Sequence, residues 1–292
     1  MKLSSIKNRA NEILLTNKSE YIRILTIILL VGLIPSLFSG NSNFLAILVY
    51  YATIIIFLPF HHGYIVSSLK MVRNQSQALS DDDAFVGFKR FKELFATYFL
   101  SNVIVWAISA AAGMILVVLL SFTIINAARY IVDAAVNQSN AAALALAAIQ
   151  HTPSLIIFIG LFLVLVAIAI VIVSSYLFAM PYLLEQYHMS ATQSLKESIQ
   201  FMKGHVWELI KLQLSFLGWM ILIIVIQSIL INLLAFIPVI GSLIASILGG
   251  LAAIYTYLPR YHLSQAIFFE EIAYYRYENN TYQSNNGENA NV

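Results

Sequence analysis

The chain has 292 residues, of which 60% are hydrophobic and only 10% are charged, and its mean hydropathy is +0.81. A soluble domain carries about 25% charged residues, so this composition disfavours a soluble enzyme, a nucleic-acid-binding protein and a disordered chain. The sequence contains no cysteine, which excludes disulfides, zinc–thiolate sites, iron–sulfur clusters and cysteine nucleophiles. The class that remains is an integral membrane protein.

Six stretches of the sequence have, or come close to, the ~20 apolar residues that a helix needs to cross ~30 Å of hydrocarbon. Their apolar residues are consecutive and do not alternate with polar ones as in transmembrane β-strands. The sequence therefore predicts an all-α, polytopic transmembrane helix bundle. The predicted spans are residues 22–38, 44–65, 98–125, 155–184, 212–236 and 240–258. Residues 1–278 are predicted to form a single transmembrane domain, and the Asn-rich residues 279–292 a disordered cytoplasmic tail.

The positive charges predict the orientation of the bundle. All but one of the 16 Lys and Arg residues fall on the same side of the predicted spans, and the exception is Arg129. Because Lys and Arg stay cytoplasmic, both termini are predicted to be cytoplasmic. The loop at residues 126–153 is then extracytoplasmic. Its alanine-rich part, Ala127–Ala148, predicts two helical extensions that meet at a break near Asn137–Asn140.

Basic amphipathic stretches precede spans one, three and five. Before span one, Ile6, Ala10 and Leu14 share one helical face. Before span three, Ser80 is followed by three Asp residues, which predicts an N-cap with acidic residues in the first turn. Apolar faces flanked by Lys and Arg are typical of helices that lie in the inner headgroup layer. We therefore predict interfacial helices at these three entries and a further one at His262–Tyr277.

The stretch before span five has an interruption within it. Its apolar residues recur at helical spacing and predict one apolar face, formed by Leu195, Ile199, Met202, Val206 and Leu209. The glycine of Lys203-Gly204-His205 lowers helix stability by ~1 kcal/mol relative to alanine, so a break is predicted there. We predict that Lys203, His205 and Lys211 contact lipid headgroups.

The central parts of the predicted spans contain no Asp, Glu, Lys, Arg or His. Ion-coupled transporters and intramembrane enzymes use such residues, so the sequence predicts neither enzymatic activity nor a cofactor. The prominent polar residues within the spans are the uncharged Asn102, Gln227 and Asn232. We predict that they make hydrogen bonds between helices; the alternative is that they line a transport cavity.

Several titratable residues lie near the ends of the predicted spans. His61 and His62 are adjacent, and adjacent helical residues do not share a face, so an interfacial role is favoured over a metal pair. Asp81–Asp83 lack the further spaced oxygen ligands of a cation site, which favours a capping role. Glu185 could pair with a basic residue that the sequence does not identify.

Five motifs in the last part of the chain carry a family resemblance. They are Ser194–Ser198, Met202–Trp207, Leu214–Trp219, Tyr257–Tyr261 and Phe268–Glu271. With these motifs, the chain resembles the uncharacterised bacterial integral membrane proteins grouped as domain of unknown function 975. The resemblance implies a multi-spanning protein of the bacterial plasma membrane and supplies no catalytic residue.

Composition, charge placement and the resemblance together predict a structural or regulatory membrane component. Its predicted partners are membrane lipid and other membrane proteins, with no nucleic acid. The alternative is a permease or export subunit for an amphipathic or lipid-like substrate, because transport of such a molecule does not require a charged residue within the spans.

Overall fold

The computed structural model describes residues 2–38, 44–137, 153–237 and 240–278. The fold is 89% helical, with no strand among these residues, so the predicted all-α class is confirmed. The first predicted extension of the alanine-rich loop is helical up to Asn137. The second extension and the predicted tail at residues 279–292 lie outside the described residues.

The described residues form thirteen α-helices. In chain order they are α1 (Leu3–Thr16), α2 (Lys18–Gly32), α3 (Phe44–Phe57), α4 (His62–Val72), α5 (Val86–Lys89), α6 (Phe91–Asn137), α7 (Pro153–Tyr176), α8 (Met180–Tyr187), α9 (Ala191–Met202), α10 (Val206–Leu214), α11 (Leu217–Leu233), α12 (Ile240–Thr256) and α13 (Leu258–Ala273). Short 3-10 turns occur at Ile34–Phe38, Leu58–His61, Ser76–Ala78 and Asp81–Phe85, and a π-helical turn at Tyr274–Glu278.

Several described helical stretches are long and apolar enough to cross a membrane. Three are continuous: Ile47–Val72, Phe91–Val118 and Ile159–Tyr187. Two more are bent pairs, α10 with α11 at 47° and α12 with α13 at 56°. The described residues therefore contain three to five candidate spans, and the prediction of six is not confirmed. The first predicted span differs most, because α2 has only 15 residues and is about 22 Å long at 1.5 Å per residue.

The breaks between helices have local causes. Pro59 lies in the 3-10 turn between α3 and α4, and Pro259 in the first turn of α13, directly after the bend. Proline lacks the N–H that would continue a helical ladder, but its missing donor is harmless in a first turn. These positions allow a long apolar stretch to change direction without an unsatisfied backbone group.

The chain divides into two compact units. The first consists of the residues up to Leu100 and those from Tyr176 onward, and the second of Ser101–Ser175. The core of the first unit surrounds α13, where Ala266, Ile267, Phe268 and Phe269 are fully buried. In the second unit, Ser175 is the only buried side chain among those described.

Helices α1 and α13, both predicted to be interfacial, pack against each other. The apolar face of α1 is buried, with Ile6 and Ala10 fully inaccessible, and α1 packs directly on α13. Helix α13 contacts α1, α4 and α12. An apolar face predicts burial but does not distinguish a lipid headgroup layer from another helix, and here the partner is protein.

The side of α9 that packs on the protein is not its predicted apolar face alone. Ser194, Ser198 and Met202 are buried, whereas Ile199 is 45% exposed. The Ser198 hydroxyl donates to the Tyr176 carbonyl at 2.7 Å. Small hydroxyl side chains allow close approach between helices, so α9 places them against the protein and directs Ile199 outward.

Candidate functional site

A polar cavity of about 940 Å³ lies within the first unit. Its lining comes from α1, from the segment between α9 and α10, and from the end of α13 with the turn that follows. The lining residues are Arg9, Phe201, Lys203, His205, Glu208, Glu270, Glu271, Ile272, Tyr274, Tyr275 and Arg276. The cavity thus brings together Lys203 and His205, two of the three residues predicted to contact lipid headgroups.

The turn at Lys203-Gly204-His205 presents two of these side chains to the cavity. Helix α9 ends at Met202 and α10 begins at Val206, which confirms the predicted interruption. Gly204 has φ = +90°, a backbone conformation that residues with a Cβ rarely adopt. The backbone N–H of His205 donates to the Met202 carbonyl at 2.9 Å and closes the turn.

Three ion pairs include residues of the cavity lining. They are Arg73 with Glu270 at 2.7 Å, Arg276 with Glu197 at 2.8 Å, and His205 with Glu208 at 3.1 Å. The Glu197 carboxylate also accepts from the Tyr277 hydroxyl at 2.5 Å. The Arg73–Glu270 pair connects the end of α4 to α13. The contacts of Glu197 connect α9 to the turn after α13.

Three other charged side chains of the lining are unpaired. Within the described part of the chain, the side chains of Arg9, Lys203 and Glu271 have neither an ion pair nor a hydrogen bond. Arg9 and Lys203 are exposed, and Glu271 is half-buried. Two cations and one carboxylate therefore remain available at the cavity for a polar ligand.

Lys211, the third residue predicted to contact headgroups, is not part of this cavity lining. Its ammonium lies 5.6 Å from the centre of the Trp207 ring, in the geometry of a cation–π contact. Trp207 is 61% exposed, and both residues lie on α10. Exposed Trp and Lys side chains are characteristic of membrane–water interfaces, so the pair is suited to anchor α10 there.

A second polar cluster in the first unit is a buried network around His62. This histidine is fully buried at the start of α4, and its predicted interfacial role stays a prediction. Its Nε2 lies 2.9 Å from Glu185 Oε2 on α8 and its Nδ1 2.9 Å from the Tyr98 hydroxyl on α6. Because a carboxylate only accepts, Nε2 donates to Glu185, and in the neutral ring Nδ1 accepts from Tyr98.

The basic partner of Glu185 is Arg90, whose Nη1 lies 2.5 Å from Glu185 Oε2. Arg90 also donates two hydrogen bonds to Glu93, at 2.9 and 2.6 Å. The Glu93 and Glu185 carboxylates raise the pKa of Arg90 above its already high ordinary value, so the guanidinium stays charged. The sequence contained both ends of this pair, but they are 95 residues apart and no pattern connects them.

The acidic residues Asp81–Asp83 before α5 cap a 3-10 helix and form ion pairs. The Ser80 backbone N–H donates to Asp83 Oδ2 at 3.1 Å, and a 3-10 helix starts at Asp81, which confirms the predicted capping role. Each carboxylate of the run has a basic partner. The pairs are Asp81 with Arg23 at 2.8 Å, Asp82 with Lys89 at 2.8 Å, and Asp83 with Lys70 at 2.7 Å.

The three uncharged polar residues of the predicted spans occupy different environments. Gln227 on α11 faces Gly249 on α12, with its Cβ 3.3 Å from where a Cβ at position 249 would lie. Asn232 donates to the Ser228 carbonyl of its own helix at 2.8 Å and lines a shallow, mostly apolar groove. Asn102 lies in the second unit and is half-buried.

Comparison with known proteins identifies a family but no activity. The model of the family described as "Protein of unknown function (DUF975)" matches residues 1–275. No curated protein and no solved structure matches the chain. The match includes α1, the turn between α9 and α10, and α13, which are the elements that form the polar cavity. The chain therefore belongs to this uncharacterised family.

Proposed function

We propose that this protein is a non-enzymatic structural or regulatory component of the bacterial plasma membrane that holds phospholipid headgroups of the cytoplasmic leaflet. The observation that carries the proposal is the polar cavity with its unpaired Arg9 and Lys203. Guanidinium and ammonium groups bind phosphate oxygens through charge-assisted hydrogen bonds. Two such groups at one cavity suit the phosphodiester of a lipid.

The surroundings of the cavity support a lipid as the source of this phosphate. Candidate membrane spans begin or end close to it, because α10 and α13 both belong to bent pairs that are apolar enough to span. With the six predicted spans, the lining residues belong to the side that carries nearly all the Lys and Arg residues. Basic pockets at the cytoplasmic ends of transmembrane helices are sites for anionic lipid groups.

Partner membrane proteins form the second part of the proposal. The described apolar side chains of the second unit include Val117 at 62% exposure and Leu161 at 59%. Apolar surface at membrane depth contacts lipid or a neighbouring helix. Crosslinking in vivo from position 117 or 161 is expected to capture a specific membrane protein. Crosslinks to lipid alone would contradict the proposed interaction with partner membrane proteins.

The lipid-binding part is tested with the full-length protein purified in detergent. We expect co-purified phospholipid, quantified by mass spectrometry, to fall at least about fivefold in the double variant Arg9→Gln/Lys203→Gln, because each charge-assisted hydrogen bond contributes about 1.5–3 kcal/mol. Lys92→Gln/Lys196→Gln is the matched control, since both lysines are exposed and outside the cavity lining. Equal lipid retention in the two double variants would contradict the proposal.

A transport assay provides an independent check. The purified protein alone, reconstituted in proteoliposomes, is expected to support no flux of fluorescent lipid or of small solutes across the bilayer. Flux that requires the protein would overturn the structural or regulatory role in favour of the permease alternative.

A further inference from the structure

We propose that the cavity selects a ligand that carries a phosphate and a primary ammonium on the same molecule, as phosphoethanolamine does. This inference rests on the proposed function and specifies the headgroup. It is carried by the charge pattern of the lining, in which two cations and one carboxylate have no partner among the described residues.

The unpaired groups match the two ends of such a molecule. Arg9 and Lys203 supply several N–H donors for the oxygens of one phosphate. Glu271 supplies carboxylate oxygens, which accept from an ammonium. The other acidic residues of the lining, Glu208 and Glu270, already pair with His205 and Arg73. Glu271 is therefore the carboxylate available to a ligand.

The same pattern disfavours a headgroup that is only anionic. Such a ligand would place negative charge near the Glu271 carboxylate, and like charges destabilise each other at short range. A ligand with its own ammonium converts this repulsion into an ion pair. The unpaired carboxylate thus selects for a positive charge beside the phosphate.

A primary ammonium also fits better than a quaternary one. A primary ammonium keeps three N–H donors, which need acceptors when water is displaced, whereas a trimethylammonium group has none. Quaternary ammonium sites use cages of aromatic ring faces. Tyr274 and Tyr275 lie edge-to-face at 5.7 Å and are both exposed, so they border the cavity without enclosing it.

The volume of the cavity is compatible with a headgroup or with a free small molecule. At about 940 Å³, it lies at the upper end of the 300–1,000 Å³ typical of ligand sites. The shared chemistry can come from phosphatidylethanolamine or from soluble phosphoethanolamine. The experiment therefore includes both sources.

The first measurement compares headgroups. The full-length protein is reconstituted into nanodiscs of phosphatidylcholine that contain equal small fractions of phosphatidylethanolamine and phosphatidylglycerol with identical acyl chains, and the bound lipid is identified by native mass spectrometry. We expect phosphatidylethanolamine to be enriched about tenfold over each of the other two lipids, the ratio expected for one charge-assisted contact.

Variants separate this inference from the proposed function. Glu271→Gln is expected to reduce the preference for phosphatidylethanolamine over phosphatidylcholine to near parity while total lipid retention persists. Glu271→Asp is expected to keep the preference, because it keeps the carboxylate. Glu12→Gln is the control, since Glu12 is an exposed acid on α1 outside the cavity lining. Thermal unfolding identical to wild type shows that each variant is folded.

Competition identifies the source of the ligand. Displacement of bound phosphatidylethanolamine by millimolar soluble phosphoethanolamine, but not by glycerol phosphate, supports the selected chemistry and shows that the acyl chains are dispensable. Displacement by neither compound supports the lipid as the natural ligand when the Glu271→Gln effect is present.

Two outcomes would overturn the inference. If phosphatidylglycerol is enriched and its retention depends on Arg9 and Lys203, the selection for an ammonium is wrong and the proposed function stands. If the Arg9→Gln/Lys203→Gln variant retains lipid like wild type, both are wrong.

Discussion

The two compact units are both built from apolar helices, but their apolar side chains have different surroundings. In the first unit, Phe268 and Phe269 are fully buried in a core of close aromatic contacts, including Phe269 with Tyr182 at 4.8 Å. In the second unit, Val117 and Leu161 are exposed. Lipid tails solvate an apolar side chain as well as protein does. Hydrophobicity therefore does not locate the core of a chain whose helices are long and apolar enough to cross a membrane.

Small and polar residues locate this core better. Five serines of the described structure have no exposed surface, and all five lie on helices of the first unit: Ser67, Ser68, Ser194, Ser198 and Ser264. The Ser68 hydroxyl lies 2.8 Å from that of the buried Tyr21. Small side chains such as serine allow close approach between packed helices, so these serines mark places where helices of the first unit lie against other parts of the protein.

The largest effect is expected from substitution of a buried leucine. Comparing it with an exposed leucine tests whether leucines in the two units contribute differently to stability. Leu183 is fully buried in the first unit, and Leu163 is 53% exposed in the second. Leu183→Ala is expected to lower the free energy of unfolding by about 2–5 kcal/mol, because it creates a cavity. Leu163→Ala is expected to change it by less than about 0.5 kcal/mol. Unfolding in mixed micelles measures both; equal losses would erase the distinction between the units.

Glycines provide the next comparison. A Cβ at Gly87 would clash with the Pro59 carbonyl and lie 2.7 Å from the Phe60 Cα, whereas a Cβ at Gly113 would meet nothing within 4 Å. Gly87→Ala is expected to destabilise the protein by about 1–3 kcal/mol through overpacking. Gly113→Ala is expected to be neutral or to stabilise α6 by up to ~1 kcal/mol. Melting temperatures measure both effects. A decrease for Gly113→Ala, or no decrease for Gly87→Ala, would contradict the expected difference between the two glycines.

The buried network gives a somewhat smaller effect that is confined to the first unit. Glu185→Gln removes the charge that faces Arg90 and is expected to cost about 1–3 kcal/mol of unfolding free energy. Glu93 pairs with Arg90 from a more exposed position, so Glu93→Gln is expected to cost less than about 1 kcal/mol. If denaturation experiments show the reverse order, Glu185 does not hold this network together.

The smallest effect on stability accompanies the most direct test of lipid exposure. Trp106 in the second unit is 43% exposed, and Trp106→Phe is expected to shift unfolding by no more than about 0.5 kcal/mol. As the sole tryptophan, Trp106 is expected to be quenched by lipids brominated deep in the acyl chain. Trp207, as the sole tryptophan, is expected to respond to labels near the headgroup. Quenching of Trp106 by aqueous iodide instead would place this surface in water.

Much of the local structure was predictable from sequence. The cap at Ser80 and the break at Gly204 follow from short-range rules, because each depends on residues within a few positions of one another. The site was predictable in part: Lys203 and His205 stood out as basic groups beside a helix break. Arg9 and Glu271 were not predicted as site residues, because they lie near opposite ends of the chain and no local pattern connects them.

The sequence by itself determined the helical class, the presence of apolar stretches long enough to span a membrane, and the helix break at Gly204. These properties depend on composition and on residues near one another along the chain. Tertiary structure alone decided that α1 and α13 pack together, that His62 and Arg90 meet Glu185, and that two cations and a carboxylate border one cavity. The physical reason is that an amphipathic face or a charge states only that a partner is needed, and the folded chain determines which partner is within reach.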